Sequence, residues 1–348
     1  MFKEIIKKKF NGFDDLKILF RCDAKNLWDS FLDNLEFGPV NYSNQELDYQ
    51  ELFRQEKGII DKDLSLIILM KNFPISIFSF TISKVSNRYE ITSYGLPILS
   101  PLFSDELEDV IKEKLKKKYF DLLQEAASIY NIDNWISAEF FNGSYDISHW
   151  YELSKKKGDK IFDTNEGYVD LKKSFEEIDK FFKKKNVFRE INQASNLWAV
   201  SIKHTIKIDE WNNFKKLHIE VSGKQTRSDK TWETQLDDIN SQKAFVVFLY
   251  DAKRLIGGAM YRYSKTTAIY AIGAYDRKLY SKPVSHLAHY KAISELKKKK
   301  IKWLKMGAIP KRDDYGVTSD KEVNIGFFKK KFSTDIFKKH FFIHKKRN

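Results

Sequence analysis

The sequence predicts an α/β protein that is built from mixed β-sheets and divided into two domains. Three strand patterns, one helix pattern and a further strand pattern follow one another between residues 245 and 306. The same order of patterns occurs upstream, between residues 64 and 141. The chain of 348 residues is long enough for two domains of ordinary size. We therefore expect an N-terminal domain at 1–160 and a C-terminal domain at 161–348.

Composition limits the class of protein. Hydrophobic residues make up 42% of the chain, with 28 Phe and 17 Tyr, so both domains have enough apolar side chains for a core. The single cysteine, Cys22, excludes a disulfide framework and a cysteine-rich zinc site, and we predict no metal centre. The most apolar segment, 64–70, is too short to span a bilayer, and no apolar stretch follows the basic N-terminus. These features predict a cytoplasmic protein.

The net charge has two interpretations. A formal charge of +14 favours polyanionic partners such as RNA, nucleotides or anionic headgroups. The lysine runs, however, lie on or beside helical patterns, where a solvated lysine face is the ordinary outcome. Compositional bias and a dedicated basic surface both remain open.

The first half contains a strand series and a long helix. Three apolar runs between Leu64 and Gly95 are separated by short turn segments and predict a three-stranded meander. Ser104 precedes several acidic residues and is expected to cap a long helix, Asp105–Tyr130. The remaining elements predicted in this half are helices at 27–35, 45–54 and 149–157 and a strand at 135–141.

The second half contains the pattern on which the fold prediction mainly depends. Three runs between Phe245 and Tyr275 are rich in β-branched and aromatic residues and predict antiparallel strands. A helix from Pro283 and a strand at 301–306 follow, and Gly307 is expected to end that strand. A helix between two such strands requires a right-handed parallel crossover. The other predicted elements are strands at 167–171, 198–208 and 336–344, helices at 174–185, at 210–221 with Asp209 as its cap, around Trp232 and at 327–332, and a polar loop at 313–319.

This order of strands, loop, helix and strand resembles the acyl-transfer core of the GNAT superfamily. The segments AIYAIGAYDR (268–277), KPVSHLAHYKAI (282–293), WLKMG (303–307) and FFKKKF (327–332) resemble more narrowly the second domain of FemAB-type transferases. The segment Glu166–Ala194 is similar to another part of that family. These proteins consist of two GNAT-like domains in tandem and attach amino acids to peptidoglycan precursors. The resemblance covers most of residues 166–332.

The resemblance implies two tandem GNAT-like domains, with the reaction in the C-terminal one. It implies an N-acyltransferase that forms an amide on an amino group of a sugar, nucleotide-sugar or peptidoglycan-type precursor. Such an enzyme would act in cell wall or polysaccharide biosynthesis. Its cofactor needs are unknown, and its donor is either acyl-CoA or aminoacyl-tRNA.

One departure from ordinary acetyltransferases is visible in the loop before the helix. Acetyl-CoA enzymes of the superfamily usually have a glycine-rich loop whose backbone binds pyrophosphate. Here the loop is DRKLYSKPVSH (276–286), which has no glycine. FemAB-type domains also lack that loop, so the donor stays open. The absence of the glycine-rich pattern and the basic charge also support an alternative, a non-catalytic RNA-binding protein that is built on a degenerate pair of GNAT-like domains.

Three residues are candidates for catalysis. Lys329 matches the lysine of the family's terminal motif, which is thought to stabilise charge at the acyl centre; one more lysine in a surface run is the competing interpretation. His286 is a candidate general base at the start of a helix, or a residue with a structural hydrogen bond. Glu322 would orient Lys329 or Arg277, or would be exposed.

Other residues are candidates for substrate binding. Arginines in loops suit phosphate groups because the guanidinium donates in a fork. We expect Lys329, His286, Glu322 and Arg277 to surround one cleft, with the pair His218 and Arg227 reaching it from the side. The predicted substrate-binding residues are Arg277, Tyr275, Arg227, His218, Trp232 and Ser285.

Overall fold

The structure is a computed structural model, and it describes residues 2–10, 16–139, 141–143, 148–312, 314 and 319–346. It confirms the predicted α/β class with mixed sheets. The chain divides into two compact units, residues 1–164 with 338–348 and residues 165–337. The C-terminal residues thus group with the first unit, and the predicted domain limits at 160 and 161 stay a prediction.

The elements of the first part of the chain are α1 (Phe2–Phe10), β1 (Leu16–Phe20), α2 (Lys25–Asn34), α3 (Asn44–Gln55), β2 (Ile60–Asp63), β3 (Leu66–Met70), β4 (Phe73–Phe78), β5 (Thr81–Val85), β6 (Arg88–Thr92), β7 (Ile98–Leu99), β8 (Leu102–Phe103), α4 (Asp109–Ile129), β9 (Asn134–Glu139) and α5 (His149–Lys157). The following elements are β10 (Lys160–Asp170), α6 (Phe175–Lys184), α7 (Val187–Leu197), β11 (Ala199–Lys203), α8 (Ile208–Ser222), α9 (Asp229–Asn240), β12 (Ala244–Asp251), β13 (Arg254–Tyr263), β14 (Thr267–Tyr275), α10 (His286–Lys298), β15 (Trp303–Ile309), α11 (Asp320–Phe332) and β16 (Asp335–Lys345).

The first unit contains three groups of paired strands. One is antiparallel in the order β1-β3-β4-β8, and a second is antiparallel in the order β2-β5-β6. In the third group β9 pairs with β16 antiparallel and with β7 in parallel. An aromatic core fills this unit, with Phe78, Phe120 and Trp150 fully buried.

The predicted three-stranded meander between Leu64 and Gly95 is wrong. The chain forms four strands there, β3 to β6, and they belong to two different sheets. The break is at Ser79, between two buried phenylalanines. The Ser65 hydroxyl accepts a hydrogen bond from the Phe80 amide at 3.2 Å, so a buried side chain satisfies the backbone where the chain changes sheets. No turn residue marks this change in the sequence.

Ser104 does not cap the long helix. That helix begins at Asp109 with Glu108 as its N-cap residue. The Leu107 amide donates to the Ser104 carbonyl at 3.1 Å, so the residues after Ser104 form a separate turn. The acidic residues that suggested a helix start, Asp105, Glu106 and Glu108, therefore all lie before the first residue of the helix.

The second unit is one mixed sheet in the order β11-β12-β13-β14-β15-β10. Its neighbouring strands are antiparallel, except that β14 and β15 run in parallel with α10 between them in sequence. The helices α6, α7, α10 and α11 pack on one face, which we call the α10 face. The helices α8 and α9 pack on the other, the α8 face. Successive side chains of β12 point to opposite faces of the sheet, so Val247 belongs to the core on the α10 face and Val246 to the core on the α8 face.

Several local expectations for this unit need correction. Gly307 does not end its strand, since β15 continues to Ile309 and Gly307 lies inside it with a positive φ of 100°. Asp209 does not cap α8; Lys207 is the N-cap residue and Asp209 lies in the first turn. The helix expected from Pro283 begins at His286. Most of the predicted loop 313–319 lies outside the described residues. Among the described helices, none has the length and apolarity needed to cross a membrane.

Candidate active site

Strands β14 and β15 separate soon after they meet. They pair at only three positions, and Ile269 opposite Lys305 is the last of them. Just beyond, the pairing of β14 with β13 skips Ala271, and the pairing of β15 with β10 skips Met306. A bulge bends its strand and increases the local twist. The two strands therefore diverge, and we call the gap between residues 270–275 and 306–309 the strand opening.

Two histidines of α10 lie beside this opening, on the α10 face of the sheet. His286 and His289 are three residues apart, so their side chains share one side of the helix. Both rings contact the rings of Phe328 and Phe332 on α11, with centroid distances of 5.2 to 5.4 Å. The aromatic residues of the terminal motif thus hold α10 and α11 together around the two imidazoles.

His289 is fully buried. Its Nδ1 lies 2.6 Å from the Tyr261 hydroxyl, and its Nε2 has no hydrogen-bond partner within the described part of the chain. Burial lowers the pKa of His289 to about 3, and the charges of His286 and Lys329 act in the same direction. Its ring and the ring of Tyr270 in β14 form a T-shaped contact with a centroid distance of 4.7 Å. His289 therefore connects the helix to the strand that leaves the sheet.

Tyr275 ends β14 and is buried. Its hydroxyl has no well-oriented hydrogen-bond partner among the residues that the structure describes, and burial raises its pKa well above the ordinary value. A Cβ atom at residue 257 would lie 2.5 Å from the Tyr275 ring, so Gly257 provides the space for that ring. This explains one glycine of the Gly257-Gly258 pair in β13.

Lys329 lies on the β15 side of the opening. A Cβ atom at residue 307 would lie 3.0 Å from Lys329 Nζ, so the ammonium group sits directly against Gly307. Burial lowers the pKa of Lys329, an effect that Glu166 opposes and Lys305 reinforces. Glu166 is itself buried and forms an ion pair with Lys305 at 2.9 Å. No ion pair or hydrogen bond of Lys329 Nζ occurs among the described residues.

A carboxylate from α7 reaches His286. Glu190 Oε2 lies 2.9 Å from His286 Nε2, although the angle is not that of a well-formed hydrogen bond. Burial lowers the pKa of His286, while the charge of Glu190 raises it and that of Lys331 lowers it. Lys331 also pairs with Glu190 at 3.6 Å. His286 is thus a buried imidazole that is biased toward its neutral form and lies beside a carboxylate.

The other residues predicted near Lys329 have different positions. Glu322 forms a capping box with Ser319 at the start of α11, and its exposed carboxylate accepts from the Ser319 amide at 3.1 Å. Arg277 is exposed in a short 3-10 helix after β14. Ser285 is the N-cap residue of α10, but its hydroxyl makes no capping hydrogen bond. Helix capping accounts for the position of Glu322 without any contact to Lys329.

The predicted cluster of His218, Arg227 and Trp232 does form, but on the α8 face. Arg227 Nη1 lies 3.3 Å from His218 Nε2, and both side chains contact the Trp232 ring. Trp232 is part of the core on that face. Burial and the charge of Arg227 lower the pKa of His218 to about 4. The structure therefore does not bring this cluster to the side of His286 and Lys329 that we expected.

Four residues that contact or act on the site residues were not predicted from the sequence: Glu166, Glu190, Tyr261 and His289. His289 could have been found, because it lies one turn after His286 in the same helix pattern. The two glutamates come from β10 and α7, more than 90 residues before their partners, and only the folded chain brings them close.

Solved structures show what this architecture resembles. A crystal structure of FemX matches with a TM-score of 0.62 at 11% identity, and the match covers 92% of this chain and 96% of that one. The chain has the tandem GNAT fold of FemAB-type transferases. L-PGS from Bacillus licheniformis also matches, with a TM-score of 0.50 at 14% identity over 86% of this chain and 92% of that one.

A conserved protein of unknown function from Bacteroides thetaiotaomicron also matches, with a TM-score of 0.56 at 11% identity over 95% of this chain and 99% of that one. No protein-family model and no curated protein matches the sequence. At these identities the similarity shows the FemAB-type fold alone, and chemistry must be inferred from the residues of the site.

Proposed function

We propose that the chain is a FemAB-like N-acyltransferase and that residues 165–337 perform the reaction. The observation that supports this most directly is the strand opening with the half-buried Lys329 ammonium against Gly307. A fixed cation beside an opening in the sheet suits a reaction in which negative charge develops on an acyl oxygen.

In the proposed reaction, an amine attacks the carbonyl carbon of an acyl donor that lies in the opening. The new C–N bond forms, negative charge develops on the carbonyl oxygen, and Lys329 stabilises that charge. The intermediate then breaks its bond to sulfur or to a ribose oxygen, and the leaving group takes up a proton. His286, whose pKa is lowered by burial and whose ring lies beside Glu190, is the proposed acceptor of the amine proton.

We keep two donor classes, acyl-CoA and aminoacyl-tRNA. The loop 276–285 contains no glycine for a pyrophosphate cradle, which leaves the donor open, and we favour an acyl-CoA because composition explains the basic charge about as well as tRNA binding does. The proposed acceptor is an amino group on a sugar, nucleotide-sugar or peptidoglycan-type precursor, in cell wall or polysaccharide biosynthesis. The resemblance of the sequence to FemAB-type transferases motivates this acceptor class.

Thermal-shift measurements with acetyl-CoA, uncharged tRNA and UDP-sugars are the first test, followed by mass spectrometry of amino sugars incubated with the donor that stabilises the protein. Stabilisation by acetyl-CoA and a new amide mass are expected. Stabilisation by tRNA alone would favour the aminoacyl-tRNA donor. Tight, salt-dependent binding of unrelated RNA without any transfer would instead support the RNA-binding alternative.

A further inference from the structure

A groove of about 550 Å³ lies beside α8 in the second unit. Its lining comes from α8, from the turn between β12 and β13, and from the residues directly after β14. Leu217, Leu255 and Tyr250 provide an apolar part. The volume lies in the range that holds a small-molecule ligand. None of the lining residues belongs to the strand opening, to α10 or to α11.

Two of the three acids that line this groove are already paired. Asp276 forms an ion pair with Arg254 at 2.7 Å, and Glu210 forms one with Lys203 at 3.1 Å. Asp276 also accepts a hydrogen bond from the Lys278 amide at 3.0 Å, which fixes the start of the 3-10 helix. Because these two carboxylates are already paired with cations, they repel an anionic ligand only weakly.

Three lysines in the lining are not neutralised in this way. Lys216 comes from α8, Lys253 from the turn between β12 and β13, and Lys278 from the 3-10 helix after β14. None of them forms an ion pair with a described residue. Glu220 is the one lining acid without an ion pair in the described part of the chain. Separate elements thus bring three cations to one concave surface, which creates a positive potential that attracts an anion.

We propose that this groove binds a phosphorylated, hydroxyl-bearing small molecule of the sugar-phosphate type. Its phosphate would lie among Lys216, Lys253 and Lys278, because ammonium groups bind phosphate as point charges. Its hydroxyl groups would face Glu220 and Asn213, which supply a carboxylate and an amide for hydrogen bonds. The proposal rests on the groove alone and does not require acyl transfer.

Isothermal titration calorimetry with glucose 6-phosphate, glucose and inorganic phosphate tests the proposal on the whole chain. Glucose 6-phosphate should bind the wild-type protein, glucose should not, and inorganic phosphate should bind more weakly. The combined variant Lys216→Gln, Lys253→Gln and Lys278→Gln should weaken glucose 6-phosphate binding by at least about tenfold, since charge-assisted contacts are lost. These lysines are exposed, so the fold should persist.

A matched variant separates local binding from net charge. Lys224→Gln, Lys230→Gln and Lys265→Gln remove the same charge from exposed positions outside the groove and should change the affinity by less than about twofold. Glu220→Gln should strengthen the binding of inorganic phosphate, which has no sugar hydroxyl groups for Glu220 to contact, because the substitution removes a negative charge from the groove. Equal losses in the two triple variants, or no binding of glucose 6-phosphate, would overturn the proposal. If inorganic phosphate binds as tightly as glucose 6-phosphate, the proposed contacts of Glu220 and Asn213 with hydroxyl groups would be overturned.

Discussion

Within the described residues, each compact unit contains one parallel strand pair, and the polar group beside each pair is different. In the first unit β7 and β9 pair at only two positions, and β9 ends at Glu139. In the second unit β14 and β15 pair at three positions, and Lys329 lies against Gly307 just beyond the last pair. The two units thus share a local topology but present opposite kinds of ionisable group.

The carboxyl group of Glu139 and the ammonium group of Lys329 suit different chemistry. Burial raises the pKa of Glu139 to about 7, although a hydrogen bond from Ser148 and the charge of Lys116 lower it. A carboxyl group that is partly ionised near neutral pH cannot stabilise developing negative charge, whereas an ammonium group can. A repeated fold therefore does not repeat its chemistry, because individual side chains determine what each copy can do.

The largest expected effect comes from removing the Lys329 ammonium group from the second unit. Lys329→Met should slow acyl transfer by about a hundredfold or more, since one lost oxyanion donor costs about 2.7–4 kcal/mol. The free energy of unfolding should fall by less than about 1 kcal/mol, because the desolvated ammonium group has no ion pair among the described residues to lose. Steady-state kinetics and urea denaturation measure the two effects.

Two controls accompany this variant. Lys330→Met changes an exposed lysine of the same helix and should leave the rate within about twofold of wild type. Glu139→Gln should also leave transfer unchanged if the second unit alone performs the reaction. A Lys329→Met protein with full activity per folded molecule would show that Lys329 has a structural role only.

A smaller effect is expected from Gly307→Ala. This residue has a φ of 100°, which costs a residue with a Cβ atom about 1–3 kcal/mol, and the new Cβ atom would press on Lys329 Nζ. The substitution should lower both stability and transfer rate. Gly223→Ala is a matched control, because that glycine also has a positive φ but no neighbour within 4 Å. If both variants lose activity equally, the position of Lys329 against Gly307 is unimportant.

The smallest effect concerns the pH dependence of stability. Glu139 in the first unit and His289 in the second should change the free energy of unfolding in opposite directions as the pH rises. Glu139 has a folded-state pKa raised to about 7, so the folded state binds more protons than the unfolded state between about pH 4.5 and 7. Its contribution to stability therefore falls as the pH rises through that range. His289 has a folded-state pKa lowered to about 3, so the unfolded state binds more protons between about pH 3 and 6.5. Its contribution falls as the pH drops.

Single variants should reveal the two slopes, each of at most about 1.4 kcal/mol per pH unit. Glu139→Gln should leave a protein whose stability falls on acidification from pH 6.5 to 4.5. His289→Gln should leave one whose stability falls as the pH rises from 4.5 to 7. Thermal unfolding at several pH values measures both. Parallel pH curves for the wild type and both variants would contradict these assignments.

Much of the second unit could be predicted because short stretches of its sequence indicate its helices and strands. The three strands before Tyr275, the α10 helix and the parallel crossover follow from apolar periodicity and turn residues alone. The prediction that Lys329 and His286 line one cleft rests on the resemblance to FemAB-type domains and on the expected packing of the terminal helix beside the helix near Pro283. The Ser319–Glu322 capping pattern was also readable, and it would have indicated a structural role for Glu322.

The rest depends on relationships that no local pattern carries. The strand opening arises from bulges at Ala271 and Met306, and a bulge is visible only once the hydrogen-bond register of neighbouring strands is known. Glu190 reaches His286 because α7 packs beside α10, and sequence separation hides that contact. Where the chain changes sheets at Ser79, hydroxyl groups of buried serines provide the hydrogen bonds. In the sequence these serines look like ordinary strand residues.

The central claim is that the strand opening binds the acyl donor beside Lys329, and hydrogen-exchange mass spectrometry tests it most directly. The protein would be compared with and without whichever of acetyl-CoA or aminoacyl-tRNA stabilises it. The account predicts slower exchange in peptides that cover 270–275, 303–309 and the start of α10, and weaker protection in Lys329→Met. Protection confined to α8 and α9, or no protection around the opening at saturating donor, would contradict it.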